Sequence, residues 1–338
     1  MSARIILVIT DNTPDQINGV VTTFRNLEPQ ARADNYEIQY IHPGLFCHVA
    51  CPGYPEVRLA WPRGIGRMIR DISPDHIHIA TEGPVGLAAR LWLDRHGWRY
   101  NTSYHTRFPE FVREIYGIAT WITYAYLRWF HKHSGRVLTT TDTMVRELHT
   151  HGFDGDIRAW TRGVDRDHLM PTPGDWRHDR GFQDRPRVLY VGRVSREKNL
   201  EALCDLYQEF HIDIVGNGPH RAELERRYPR VNFLGYRKGS SLADCYAQAD
   251  VFAFPSRADT FGIVMIESMS LGTPVAGYPV PGPLDVIEPG VTGYTDEDLG
   301  RAIRLCLGLD RKQVERASQR WTWHRCWTIF RDNLVEVI

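Results

Sequence analysis

At 338 residues the chain is longer than one hydrophobic core usually supports, so we expect two domains. Its 41 basic residues balance its 41 acidic residues, which removes any bulk electrostatic argument for a nucleic-acid partner. No apolar run is long enough to span a bilayer, no signal-peptide pattern is present, and the six scattered cysteines suit reduced thiols, so we expect a cytoplasmic protein.

Short apolar runs alternate with helical patterns along the whole chain. This alternation predicts an α/β fold with two doubly wound parallel sheets. The predicted strands of the first half are Arg4–Thr10, Glu37–Ile41, His76–Ala80, Tyr100–Tyr104, Arg136–Thr140 and Ile157–Trp160. Those of the second half are Arg187–Val191, Ile212–Val215, Val231–Leu234, Val251–Phe254 and Pro274–Gly277.

The composition of residues 171–186, rich in proline, glycine and charge, predicts a linker. It would separate a first domain over residues 1–170 from a second over residues 187–321. In the last stretch, residues 322–338, three aromatic side chains recur at helical spacing and predict a helix face that packs in a core. These aromatic residues are Trp323, Trp327 and Phe330.

The segment 254–267 is the most informative in the chain. A buried strand passes through a polar loop into a helix, and Gly262 marks a turn at which backbone can approach a ligand. The N-terminus of a helix suits an anion such as phosphate. Two carboxylates, Asp259 and Glu267, flank this glycine, which a purely structural strand–loop–helix unit would not need.

A second strand of the same half ends at Gly192 and is followed by Arg193 and Lys198. Ligands bind at the carboxyl ends of parallel strands, so these two cations are placed to hold a diphosphate. The alternative is two solvated cations on a surface loop.

Asn217 and Gly218 follow another strand, in a turn on which a planar base could rest. This indication of a ligand site is weaker than that of Arg193 and Lys198.

In the first half, Gly19 opens a helix after a strand, and a phosphate-binding loop and a structural turn are equally compatible with it. His105 follows another strand, where it could bind a sugar hydroxyl or have a structural role in the core.

His76 and His78 alternate onto one strand face, but no third metal ligand stands out. We expect no metal site, and we attribute three Asp-x-Asp pairs to chance.

Taken together, these motifs resemble the retaining nucleotide-sugar glycosyltransferases of family 4, which have the GT-B fold of two Rossmann-like domains facing across a cleft. The matching residues are Gly192-Arg193-x4-Lys198 and Asp259-x7-Glu267, with Asn18-Gly19-Val20 and Tyr104-His105-Thr106 as N-terminal landmarks. The resemblance covers nearly the whole chain. It is closest to the branch that contains glycolipid glycosyltransferases and GDP-mannose-dependent α-mannosyltransferases.

The resemblance implies a role for each matching residue. Arg193 and Lys198 would grip the donor diphosphate, Glu267 would hold the ribose, and Asp259 would bind hydroxyls of the donor sugar. His105 would contact the transferring sugar. The donor site would be completed by Gly19, Gly192, Asn217, Gly218, Thr260, Phe261, Gly262, Ile263 and Val264. The family usually has Glu at the position of Asp259, which puts the identity of the donor sugar in doubt.

The resemblance further implies that the first domain serves the acceptor and the second the donor, and that the final helix packs back on the first domain. No residue stands out as a covalent nucleophile, so we expect same-face attack with retention. We expect no tightly bound cofactor and no required metal ion. The donor would be UDP-glucose-like or GDP-mannose.

The sequence indicates less about the acceptor than about the donor. Glu82 and Arg107 are acceptor candidates, and a glycolipid or another glycan is the expected acceptor. Residues 117–136 are aromatic and apolar with a basic end, which fits either a core helix or a helix that touches a membrane interface. A peripheral position at the inner face of the membrane would follow from the second interpretation. The alternatives are transfer to a nucleic-acid base or a protein, and a non-catalytic nucleotide-sugar-binding protein.

Overall fold

A computed structural model describes residues 3–16, 18–51, 54–173 and 185–338, with all their side chains except those of residues 54–57, 111 and 114–116. The chain divides into two compact units. The first contains Met1–Arg162 and Trp323–Ile338, and the second contains Gly163–Thr322. Most of the predicted linker, residues 174–184, lies outside the described residues.

The boundary between the units lies earlier than the sequence predicts. Residues 163–170 were assigned to the first domain, but they belong to the second unit. The physical reason is packing, because Val164 and Leu169 are buried in a core of the second unit, against apolar side chains that include Phe261 and Ile287.

The first unit is a six-stranded parallel sheet with helices between its strands. The strands pair in the order β2-β1-β5-β6-β7-β8. They are β1 (Arg4–Ile9), β2 (Tyr36–Ile41), β5 (His76–Ile79), β6 (Asn101–Tyr104), β7 (Val137–Thr139) and β8 (Ile157–Ala159), and β3 (His48–Cys51) and β4 (Tyr54–Ala60) form a separate antiparallel pair. The helices are α1 (Gly19–Ala33), α2 (Ile65–Ile72), α3 (Pro84–His96), α4 (Phe108–Tyr116), α5 (Thr120–His131) and α6 (Asp142–Thr150).

Every predicted strand of the first half is present, with ends that differ by a residue or so. The pair β3–β4 was not predicted. The central strand β1 is buried from Ile6 to Ile9, as expected for a parallel strand covered on both faces.

The final helix, α14 (Trp323–Asp332), completes the first unit by packing on α1. Its residues Trp323, Trp327 and Phe330 are buried, so the predicted core packing of this aromatic face is confirmed. The ring of Phe330 stacks on Trp160 at a centroid distance of 4.8 Å and meets Phe24 edge-on at 5.8 Å. Residues from both ends of the chain therefore share one core.

The second unit repeats the plan of the first. Its six parallel strands pair in the order β11-β10-β9-β12-β13-β14. They are β9 (Arg187–Val191), β10 (His211–Val215), β11 (Asn232–Gly235), β12 (Val251–Phe254), β13 (Val275–Gly277) and β14 (Gly293–Thr295). The helices are α7 (Leu200–Cys204), α8 (Arg221–Arg227), α9 (Ser240–Gln248), α10 (Ile263–Ser270), α11 (Pro283–Val286), α12 (Leu299–Cys306) and α13 (Arg311–Ser318).

The predicted strands of the second half are all present, and β14 was not predicted. A short 3-10 turn, Arg196–Lys198, precedes α7. Asn199 separates the two with a left-handed φ of 53°. This break ends the turn at Lys198 and starts a new helical axis.

In the parts of the chain that the structure describes, no helix is long and apolar enough to cross a membrane.

Candidate functional site

The donor-site residues predicted in the second unit gather at one edge of its sheet. Strands β9 and β12 are hydrogen-bonded neighbours and run in the same direction. The loops that follow them, residues 192–199 and 255–262, therefore leave the sheet at the same carboxyl edge, where open parallel sheets bind ligands.

Lys198 and Asp259 form an ion pair between these two loops. Lys198 Nζ donates to both carboxylate oxygens of Asp259, at 2.7 and 2.8 Å. The two side chains are only 20% and 28% exposed. Burial alone would raise the pKa of Asp259, but the Lys198 ammonium outweighs it and holds that pKa below its usual value. The sequence predicted a separate role for each residue, and the structure brings the two together.

The N-terminus of α10 is open. Its first residue, Ile263, and the next, Val264, follow Gly262, and no side chain caps the helix there. Gly262 has a φ of 84°, and a Cβ at this position would lie 2.7 Å from the ring of Phe254. Glycine is therefore required, and the uncapped N–H groups are oriented as an anion site needs. The preceding residues, Thr260 and Phe261, are buried.

Glu267 lies further along α10 and accepts a hydrogen bond from the hydroxyl of Tyr246, at 2.8 Å. Burial raises the pKa of Glu267 above its usual value, although the Tyr246 hydroxyl opposes this. Tyr246 is itself fully buried on α9, so it holds the carboxylate in a fixed orientation. The sequence analysis did not single out Tyr246.

The loops after β9 and β10 pack closely against each other. The N–H of Gly192 donates to Val215 O at 3.0 Å, and a Cβ on Gly218 would lie 2.2 Å from Val194 O. Arg193 extends from this paired backbone and is partly buried, and its carbonyl accepts from the Tyr190 hydroxyl.

Asn217 is exposed at the tip of the second of these loops. Its side-chain oxygen accepts from the guanidinium of Arg221, the first residue of α8. Its carbonyl accepts from the N–H of Val194, which ties it to the loop of Arg193. The two loops thus support each other at the sheet edge.

In the first unit, the N-terminus of α1 is partly occupied by the protein itself. The side-chain oxygen of Asn18 accepts from the N–H groups of Val20 and Val21, both at 3.0 Å. Only the N–H of Gly19 stays outside this cap. A Cβ on Gly19 would meet nothing within 4 Å, so packing in this unit does not require glycine there.

His105 lies at the carboxyl end of β6 in a network of polar side chains. Its Nδ1 is 2.9 Å from Arg162 Nη2, and its Nε2 is 2.7 Å from Ser103 Oγ. Ser103 Oγ also lies 2.9 Å from Nε2 of the buried His78. Burial lowers the pKa of His105 well below its usual value and the charge of Arg162 adds to this, so the imidazole is neutral.

Asp11, after the end of β1, is a half-buried carboxylate that the sequence analysis did not name. It accepts from the N–H groups of Val85 and Gly86, at 2.7 and 3.3 Å, and from the Thr81 hydroxyl at 2.8 Å. It therefore caps α3 from outside the helix. Burial raises its pKa to about 6 even though these donors favour the charged form.

The acceptor candidates Glu82 and Arg107 lie among further acidic residues. Arg107 Nη2 donates to Glu147 Oε1 at 2.9 Å and is 3.8 Å from Glu110. Glu82 Oε1 is 3.3 Å from His131 Nε2. Arg107 thus lies between two carboxylates, those of Glu110 and Glu147.

Two tyrosines of the first unit face the same acidic residues. The hydroxyl of Tyr124 donates to Glu110 Oε1 at 3.0 Å. The hydroxyl of Tyr104 is fully buried and has no hydrogen-bond partner among the described residues. Burial raises the pKa of Tyr104 well above its usual value, and the neighbouring Tyr124 and the carboxylates of Glu110, Glu82 and Glu147 add to this.

In the described parts of both units, no group of three or more histidine, cysteine, aspartate or glutamate side chains is arranged to hold a metal ion. The groups that sequence reasoning missed are Arg162, Ser103, Tyr246 and Asp11. No local pattern marks them, because each has a partner in a distant segment: His105, His78, Glu267 and Val85 respectively.

The comparisons with known proteins agree with this two-unit plan. The sequence model of the family described as Glycosyltransferase Family 4 matches residues 17–168, in the first unit and the start of the second. The model described as Glycosyl transferases group 1 matches residues 185–306, in the second unit.

Among relatives, a GDP-mannose-dependent alpha-mannosyltransferase of Mycolicibacterium smegmatis is 27% identical over 361 residues, covering 98% of this chain and 96% of the relative. The sulfoquinovosyl transferase SQD2 of Arabidopsis thaliana is 30% identical over 72% of this chain and 51% of its own length.

Among solved structures, a sucrose-phosphate synthase from Thermosynechococcus elongatus has a TM-score of 0.76 at 20% identity, covering 97% of this chain and 98% of that one. HepE of Anabaena, solved in complex with UDP-glucose, has a TM-score of 0.68 at 16% identity over 97% of this chain and 98% of its own. The predicted fold class is therefore confirmed as GT-B, with two Rossmann-like units. The chain is therefore a glycosyltransferase that combines a Glycosyltransferase Family 4 domain with a Glycosyl transferases group 1 domain.

Proposed function

We propose that the protein transfers a hexose from a nucleotide-diphosphate sugar to an acceptor hydroxyl, with retention of anomeric configuration. The observation that supports this most directly is the Lys198–Asp259 pair at the shared edge of β9 and β12. A cation and a carboxylate in contact at this edge match the two parts of such a donor, the diphosphate and the sugar hydroxyls.

Charge neutralisation of the leaving diphosphate is the first task of such a site. Lys198 and Arg193 supply positive charge, and the uncapped N-terminus of α10 supplies N–H donors near Gly262. Donors held in place before the reaction stabilise developing charge without reorganisation. On this basis we propose that the transfer needs no metal ion.

Donor orientation is the second task. Asp259 would accept hydrogen bonds from the sugar, and Glu267, oriented by Tyr246, would accept them from the ribose.

The relatives that span 98% of the chain are named for GDP-mannose. We therefore place GDP-mannose first among donors and a UDP-glucose-like donor second.

For the chemical step we propose attack from the face that the diphosphate leaves. The acceptor oxygen forms a bond to the anomeric carbon while the bond from that carbon to the phosphate oxygen breaks. The departing phosphate oxygen takes the acceptor proton. The protein then contributes positioning and charge, and no residue forms a covalent bond to the sugar.

For the acceptor we propose a glycolipid or another glycan bound in the first unit. The acidic cluster around Glu82 and Arg107 suits a hydroxyl-rich group, because carboxylates accept hydrogen bonds from hydroxyls and repel phosphate. The hydroxyl of Tyr104, which has no hydrogen-bond partner in the described part of the chain, is under the electrostatic influence of the same carboxylates. An acceptor with a neutral sugar next to the reacting hydroxyl follows from this charge balance.

Helix α5 supports a lipid acceptor. One of its faces is in the core, with Leu127 and Phe130 fully buried. The other face exposes Trp121 by 71%, Ile122 by 46% and Trp129 by 44%. Exposed tryptophans beside basic residues are typical of helices that lie in a membrane interface, so we propose peripheral membrane contact through this face.

Thermal shift with UDP, GDP and ADP, followed by donor hydrolysis with the best binder, tests the proposal. We expect one nucleotide to stabilise the protein and the matching nucleotide sugar to be hydrolysed slowly without acceptor. Stabilisation without hydrolysis or transfer would favour the non-catalytic alternative. The absence of any nucleotide effect would contradict the proposal.

A further inference from the structure

The surroundings of His105 contain a buried guanidinium with no acidic partner. The side chain of Arg162 is 4% exposed, and its Nη1 donates to the carbonyls of Trp160 and Thr161, at 2.6 and 2.9 Å. Its guanidinium carbon lies 4.5 Å from the centre of the Trp160 ring. Within the described residues no carboxylate lies at ion-pair distance from it. An unpaired buried charge is costly, so its retention calls for a function.

The remaining contact of Arg162 determines the state of His105. A guanidinium has only donors, so His105 Nδ1, at 2.9 Å from Arg162 Nη2, must be the acceptor. The proton of the neutral ring then lies on Nε2. That N–H points at Ser103 Oγ, 2.7 Å away. Both nitrogens of the ring are therefore oriented by the first unit itself.

The groups that face His105 from the surrounding elements are few. Arg162 is the one charged group among them in the described residues. The titratable neighbours are His78 on β5, whose pKa burial lowers to about 3, and Cys326 on α14, which lies against Arg162 and whose pKa burial raises to about 12. The Trp160 ring lies at a centroid distance of 5.6 Å. None of these groups stabilises an imidazolium.

We propose that Arg162 is a positioning residue for His105: it fixes the proton of a neutral imidazole on Nε2 and so makes His105 a hydrogen-bond donor of fixed orientation, not an acid–base group. The proposal rests on the proposed function in one respect: the Nε2–H, which Ser103 Oγ accepts in the protein without donor, would turn to a hydroxyl of the sugar when the donor binds. A carboxylate in the place of Arg162 would favour the opposite tautomer and the charged ring.

The direct test is nitrogen NMR of the histidine side chains in the full chain without any donor, between about pH 5 and 8, the range in which ordinary histidines titrate. The His105 signals are assigned by their loss in His105→Ala. We expect the Nε2–H tautomer, unchanged over the whole range. The Nδ1–H tautomer, or protonation of His105 within the range, would overturn the proposal.

The variant Arg162→Gln removes the positive charge and replaces a group that can only donate hydrogen bonds with an amide that can also accept them. We expect the ring of His105 to stay neutral, because burial remains, but to lose its single tautomer, because a glutamine amide can donate or accept. Transfer should fall by about 10²-fold. Arg162→Lys keeps the charge with one donor group, so it should restore part of the loss. An unchanged tautomer and unchanged transfer in Arg162→Gln would contradict the assignment.

Arg90 provides a matched control. It is 2% exposed, donates to the carbonyls of Trp129 and Phe130, and stacks over the Trp129 ring at 3.9 Å, but it does not contact His105. Arg90→Gln should lower thermal stability and leave the His105 tautomer and the pH profile of kcat unchanged.

If Arg162→Gln does not fold, Ser103→Ala decides the question. It removes the partner of Nε2, and the proton of His105 should stay on Nε2 if Arg162 determines the tautomer. Migration of the proton to Nδ1 would overturn the proposal. The spectra need no substrate, so the two proposals can fail separately. If the protein has no transferase activity but gives the expected spectra, the proposed function is rejected and the inference about Arg162 and His105 stands.

Discussion

At the scale of single residues, the pairing of Lys198 with Asp259 gives the sharpest expectation. We predict that Lys198→Ala lowers transfer and donor hydrolysis by on the order of 10²–10³, because one donor to the developing charge is lost. Steady-state kinetics measure this. Lys312→Ala, which removes an exposed lysine on α13, serves as the control and should keep wild-type turnover.

A loss of turnover is meaningful only if the fold survives, since Lys198→Ala leaves Asp259 without its cation. Circular dichroism and thermal unfolding of both variants settle this point. Near-normal turnover in folded Lys198→Ala would remove the diphosphate role of this residue.

The raised pKa of Asp11 predicts a pH-dependent stability. Its pKa of about 6 lies above the unfolded value of 3.8, so the folded state binds the proton more tightly. The contribution is fully present below about pH 4 and is lost as the pH rises through 6, by at most about 3 kcal/mol. Asp11→Asn should lack this loss. Urea unfolding of both proteins between pH 4 and 7 measures the difference, and parallel curves would show that Asp11 does not titrate as stated.

The positions of single residues in the fold were predictable where one segment contains the whole pattern. Gly262 and Glu267 follow from local sequence, because strand, loop and helix signals lie within a few residues of each other. The contact between His105 and Arg162 joins residues 57 positions apart, and that between Lys198 and Asp259 joins residues 61 apart. Such contacts arise from strand order, which spacing along the chain does not specify.

At the scale of elements, α14 shows how a terminal helix stabilises a unit. Trp327 is fully buried, and its Nε1 donates to Asp34 Oδ2 at 2.7 Å. We predict that Trp327→Ala lowers the free energy of unfolding by about 3–5 kcal/mol. Denaturant unfolding measures this. His324→Ala, on the exposed side of the same helix, should change it by less than about 0.5 kcal/mol. Equal effects would mean that α14 is not part of the core.

Helix α5 predicts membrane attachment that depends on its exposed face. In flotation with vesicles that contain anionic lipid, Trp121→Ser and Ile122→Ser should each reduce binding. Leu305→Ser, at a leucine of the second unit that is 43% exposed, is the matched control and should float like wild type. Failure of the wild-type protein to float would reject membrane contact through α5 and leave a water-borne glycan as the acceptor.

Strands were predicted well in the interior of the parallel sheets, and the two cases that escaped prediction lie outside these sheets or at an edge. The interior strands β1 and β12 are continuous apolar runs because both of their faces are covered. The pair β3–β4 escaped prediction because its first strand is mostly exposed and lacks an apolar pattern. β14 escaped because it is a short strand at the edge of its sheet. Burial gives a strand its recognisable sequence.

At the scale of the whole molecule, the proposed chemistry makes metal ions dispensable. We predict that transfer proceeds at an unchanged rate in excess EDTA, because side chains and helix N–H groups balance the diphosphate charge. Activity assays with and without added Mg²⁺ or Mn²⁺ check this. A strict requirement for either ion would show that carboxylates of this chain hold a metal with the donor.

The division of the chain also has a consequence for how the protein is made. The first unit needs Trp323–Ile338, yet the whole second unit is synthesised before that segment leaves the ribosome. Until then, the rings of Phe24 and Trp160 lack the cover of Phe330. The second unit can therefore mature first, while the earlier-made half waits with an apolar surface that chaperones recognise.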